Sequence, residues 1–97
     1  MKNNNYKIEW EDFRGEYSIF YTEYFQDNRI RELRVDIDIV SNLFYYIPFA
    51  PNTVVLYLDS MQMWHNPRVE LSLHEYSEVI ERIYNYLRKA GYKITLK

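Results

Sequence analysis

Between Tyr6 and Val40, apolar and polar positions alternate with a period of two, the pattern of strands buried on one face. In YKIEWE (6–11), Tyr6, Ile8 and Trp10 share one face, while Lys7, Glu9 and Glu11 share the other. EYSIFYTEYF (16–25) continues with Tyr17, Ile19 and Tyr21 in phase. RELRVDIDIV (31–40) sets Leu33, Val35, Ile37 and Ile39 against Glu32, Arg34, Asp36 and Asp38. DFRG (12–15) has the Asp-first, Gly-fourth form of a type I turn. Gln26-Asp27-Asn28 fits a three-residue hairpin loop, with Asn28 suited to the left-handed position. TVVLYLD (53–59) is almost wholly apolar, which predicts a central strand covered on both faces. RVELSL (68–73) alternates once more and predicts a fifth strand.

The period then changes from two to that of a helix. Ser72 and Glu75 form a capping-box pattern, and Tyr76, Val79, Ile80, Ile83, Leu87 and Ala90 follow at helical spacing. Gly91 stands where a C-terminal cap is expected. Acidic residues gather toward the helix start and basic ones toward its end, as the helix dipole favours. YKITLK closes the chain as a strand. The order β-β-β-β-β-α-β predicts an α+β fold: a single, mostly antiparallel sheet, one face covered by a long C-terminal amphipathic helix, and a final strand. At 97 residues this is one domain, with residues 1–5 frayed.

These turns also predict neighbours on the outer face of the sheet. One row reads Lys7–Phe20–Arg34, an aromatic ring between two cations. Another reads Glu11–Glu16–Asp38, three carboxylates side by side, a candidate electrostatic contact because like charges opposite one another repel. Tyr24 meets Ile30 near the hairpin tip.

The connector SNLFYYIPFAPN (41–52) breaks the pattern, with six large apolar side chains in the seven positions 43–49. Connectors are normally polar, and Pro48 and Pro51 keep this one from being a helix or an interior strand. Part of it is expected to close the core. Phe44, Tyr45, Tyr46 and Phe49, with Met61, Met63 and Trp64 of MQMWH, are the residue types enriched at interface centres. They predict a protein contact, most economically a homodimer.

Composition narrows the choice of function. Twelve basic against fourteen acidic residues give a net charge of −2, unlike the basic balance of a general phosphate-backbone binder. Single-stranded nucleic acid remains an alternative, through Lys7, Phe20, Tyr24 and Arg34 on the sheet and Arg88, Lys89 and Lys93 at the C-terminal end. There is no cysteine, hence no disulfide and no thiolate chemistry. With two glycines, no phosphate-cradling loop can be built. His65 and His74 are weak metal-ligand candidates without the spacing of a hydrolytic site, so a small metal-dependent enzyme is a further alternative and no cofactor is expected. The absence of a long apolar run predicts no membrane span, and the polar start no signal peptide, consistent with a cytoplasmic protein. The abundance of Asn, Ile, Tyr and Lys is that of AT-rich coding, as in phages, viruses and mobile elements, which would make that the host cytoplasm. The reading at this level is a small non-enzymatic interaction, inhibitor or accessory protein.

Overall fold

The structure, a computed structural model, describes residues 5–14, 16–40, 53–65 and 68–97. Its elements run β1 (Tyr6–Phe13), β2 (Glu16–Tyr24), β3 (Ile30–Val40), β4 (Thr53–Leu56), a 3₁₀ turn (Leu58–Met61), α1 (Leu73–Lys89) and β5 (Lys93–Leu96). They form one five-stranded sheet in the order β1-β2-β3-β4-β5. The first three pairings are antiparallel, and β5 joins β4 in parallel after the crossover through α1. The α+β architecture with a single long helix and a final strand is the one the hydrophobic pattern predicts.

The alternating positions point where their polarity says they should. Ile19, Tyr21, Leu33, Val35, Ile37, Val54 and Leu56 are buried beneath the helix residues Val79, Ile83 and Leu87. Those three helix positions are four apart and form one stripe. The helix opens on the expected capping box, with Ser72 Oγ accepting from the Glu75 N–H and the Glu75 carboxylate accepting from the Ser72 N–H. It closes on a Schellman motif: Tyr92 N–H donates to Leu87 O (3.1 Å), Gly91 N–H to Arg88 O (3.0 Å), and Gly91 has φ +94°. Tyr92 then packs its ring 5.6 Å from that of Trp10, tying the end of the helix to β1.

Three details differ from the expectation. The strand expected over 53–59 stops at Leu56, and Leu58–Met61 form the 3₁₀ turn instead. Residues 68–73 form no sheet strand; their pairing is a single bridge, Met63↔Glu70. The edge of β4 that a meander strand would have taken is filled by β5 instead. The first hairpin is also tighter than DFRG suggests. Asp12 and Phe13 belong to β1, Phe13 pairs with Glu16, which leaves room for only two residues between the strands, and Arg14 takes φ 55°. Two-residue turns of this mirror-image kind match the right-handed twist of paired strands, whereas a type I turn splays them. The change moves the β1–β2 register by two residues. Because that number is even, every side chain keeps its face and only the cross-strand partners change. The second hairpin has the expected three-residue loop: Phe25 N–H bonds Arg29 O (2.9 Å), and Asn28 takes φ 65°.

Candidate functional site

The inner face of the sheet is apolar until it reaches the β2–β3 hairpin, where Glu23 and Arg31 stand opposite each other. Glu23 is 3% exposed, and Arg82, from the apolar side of the helix, is 7% exposed. Burying charges this deeply is costly unless each is paired and hydrogen-bonded. Here they are. Arg31 donates through Nη2 (2.8 Å) and Nε (3.1 Å) to Glu23 Oε2, and through Nη1 to Glu75 on the helix. Arg82 donates through Nη1 to the Tyr21 hydroxyl (2.5 Å) and through Nη2 to Glu78. The Tyr21 hydroxyl in turn donates to Glu23 Oε1 (2.8 Å). Sheet and helix are thus joined by one chain of bonds running Glu75–Arg31–Glu23–Tyr21–Arg82–Glu78.

The surroundings tune these groups. Burial, reinforced by the bond to Glu23, pushes the Tyr21 phenol well above its ordinary value. At Glu75 burial acts upward, but the Ser72 hydrogen bonds and the Arg31 charge outweigh it, so its carboxyl lies below the usual range. Glu75 is accordingly held as a carboxylate.

This network forms one side of an open cleft of about 580 Å³, lined by Phe25, Arg29, Ile30, Arg31, Trp64, Val69 and Glu75. The Arg31 guanidinium lies over the Trp64 ring at 4.1 Å and over Phe25 at 5.2 Å, both within cation–π range. Ile30 and Val69 are exposed in it. Trp64 Nε1 is buried without a hydrogen-bond partner among the described residues, a cost of roughly 1–3 kcal/mol.

The sequence reading finds part of this arrangement. Of the expected contact residues, Met61 is fully buried and Trp64 is 2% exposed, so both belong to the core; Trp64 packs against Tyr21 at 6.1 Å. Met61 ends the 3₁₀ turn, and Trp64 lies beyond it, its backbone N–H bonded to Val69 O at 2.8 Å. Met63 is exposed. Phe44, Tyr45, Tyr46 and Phe49 lie outside the described residues. The three-carboxylate row does not form. Glu11 stands opposite Ser18 and accepts from Arg34 (3.2 Å), Glu16 is opposite Phe13, and Asp38 accepts from the Tyr57 hydroxyl. The two-residue shift in register is the cause.

The same shift breaks the Lys7–Phe20–Arg34 row. Phe20 meets Glu9 on one side and Arg34 on the other, with Arg34 over its ring at 5.0 Å. Lys7 pairs with Glu9 at 2.5 Å, and Tyr24 does meet Ile30. Lys7 and Arg34, two of the cations expected to hold phosphates, are therefore each engaged by a carboxylate on that face. Arg88, Lys89 and Lys93 are exposed, with Arg88 5.9 Å from the Tyr84 ring. His65 is exposed, and so is His74, which approaches Glu78 at 3.7 Å. No group of three or more potential metal ligands occurs among the described residues. No helix among them is long and apolar enough to cross a membrane.

The sequence reading missed Glu23, Arg31 and Arg82, although their phase marks them. Glu23 follows Ile19 and Tyr21 on the inward side of β2, Arg31 precedes Leu33 on that of β3, and Arg82 lies one turn from Val79 on the buried stripe. A charge recurring in the apolar phase of three elements is the signature of a buried ion network. Comparison with protein-family models, curated proteins and solved structures returns no match for this chain.

Proposed function

We propose that this chain is a small non-enzymatic protein-binding protein, an inhibitor or accessory factor, that receives an apolar side chain of a partner polypeptide in the cleft beside the β2–β3 hairpin. The observation that carries this reading is the position of Ile30 and Val69. They are 40% and 52% exposed and line a cleft with Phe25 and Trp64. Full burial of such a side chain is worth about 1.5–3 kcal/mol, so covering the half still exposed contributes about 1 kcal/mol at each. The charges beside them ask for no counter-ion, because Arg31 already satisfies Glu23 and Glu75 and Arg29 is paired with Asp27. A pocket with aromatic walls and internally balanced charge suits an apolar anchor better than an ionic one. It also suits proton-transfer chemistry poorly, since Glu75 is stabilised as the carboxylate.

Selection of displayed random peptides against the protein tests the reading. Enriched families should share one large aliphatic or aromatic anchor, and Val69→Asp or Ile30→Asp should weaken their binding by at least about tenfold, equivalent to about 1.4 kcal/mol. Both positions are exposed, so circular dichroism should show the variants folded. Anchor peptides that bind the variants as well as the parent, or no enriched family at all, would overturn it.

A further inference from the structure

Among the described residues β1 is an edge strand, eight residues long without an internal proline or glycine, and an edge of that kind is a template for another strand. The direction of its hydrogen bonds is fixed by one contact. Asn5 O accepts from Tyr24 N–H at 2.9 Å, so the odd-numbered residues turn their backbone groups toward β2. Tyr6, Ile8 and Trp10 turn theirs outward, where no described residue meets them. The same three residues carry their side chains on the inner face; Lys7 and Glu9 are on the outer face.

We propose that two copies of the chain pair through β1, antiparallel, about a two-fold axis at Ile8, giving a continuous ten-stranded sheet. The occupant is identified by charge. An antiparallel pair must set outward-bonding residues against each other, which permits registers differing by steps of two. Centred on Ile8, Lys7 stands opposite Glu9 of the second copy, and Glu9 opposite its Lys7. With the Lys7–Glu9 contact already present within each strand, the four charges alternate in sign around a square. On the inner face Ile8 meets Ile8, and Tyr6 meets Trp10, an aromatic cross-strand pair. A shift of one step sets Lys7 against Lys7 in one direction; in the other it sets Lys7 against Glu11 but Glu9 against Glu9, and a further step that way sets Glu9 against Glu11. The register centred on Ile8 is the one that faces opposite charges and leaves no like pair. Because the axis is perpendicular to the sheet, both helices lie on the same side. This pairing is independent of the cleft.

Charge reversal tests both the edge and the register, with mass read by light scattering during size exclusion. The parent chain should run as a dimer. Lys7→Glu places like charges opposite each other at both ends of the pair, as does Glu9→Lys, and each should weaken the dimer by at least about tenfold. Mixing the two variants restores opposite charges at every position and should give a one-to-one dimer. Both side chains are exposed, so the variants should fold, which circular dichroism verifies. A parent that stays monomeric at hundreds of micromolar, single variants that dimerise as the parent does, or a mixture that stays monomeric would each overturn the proposal. Val69→Asp should leave the dimer intact, so a failure here is distinguishable from a failure of the cleft reading.

Discussion

The ring of Tyr21 packs on Tyr6 (5.7 Å) and Trp64, while its hydroxyl sits between a buried carboxylate and a buried guanidinium. A single phenol thus does apolar and polar work at one position, as buried tyrosines must when they have a partner for the hydroxyl. Tyr21→Phe keeps the ring and removes the link, leaving Arg82 Nη1 3.6 Å from Glu23. It should destabilise the fold by about 1–3 kcal/mol, measured as a lower urea midpoint. The pH dependence has a definite sign. The folded phenol titrates above the unfolded value of 10.0, so its contribution is complete below pH 10 and is lost as pH rises beyond it. Above pH 10 the parent should therefore lose stability more steeply than Tyr21→Phe. Equal slopes would show that the hydroxyl is not held protonated by the fold.

At the scale of elements, the two hairpins show how turn chemistry sets what meets what. Asn28 holds φ 65° at low cost because its short amide tolerates the left-handed region. Asn28→Ala should cost about 1 kcal/mol in chemical denaturation, while Asn28→Gly should be nearly neutral. An alanine variant as stable as the parent would mean that the loop relaxes to another turn. Asn in that place is a strong local signal, so this hairpin and the Phe20–Arg34 and Tyr24–Ile30 neighbours were legible in the sequence. DFRG was ambiguous. It satisfies both a four-residue type I turn and a two-residue mirror-image turn, and Arg14 at φ 55° is not a residue that advertises the second. The helix was legible at both ends, since Ser72, Glu75 and Gly91 are capping residues with one reading each. RVELSL misled because alternation reports which side chains could be buried, not whether a sheet edge is free to receive them.

Across the whole molecule the ion network fastens the β2–β3 hairpin to the helix start, and its acidic limb is predictable. Glu75 has a folded value below its ordinary 4.5, so the stability it contributes is present above that pH and lost as pH falls through the folded value. Glu75→Gln retains an acceptor for the cap but not the charge facing Arg31. Its unfolding free energy, from urea denaturation, should fall less than the parent's between pH 6 and pH 3, the difference being under about 1 kcal/mol because the pair is partly exposed. An unchanged acid slope would sink this assignment. The network was not read from the sequence because a buried charge is recognisable through its partners, and these lie far apart along the chain: Arg31 and Glu75 are 44 positions apart, Tyr21 and Arg82 are 61. The two tryptophans fall in different places within this frame, Trp64 beneath Arg31 at the cleft and Trp10 beside Tyr92 on the edge strand. Each suggested contact surface therefore contains its own intrinsic fluorophore, and once the other tryptophan is replaced by phenylalanine, occupancy of the one and association through the other can each be followed without any label.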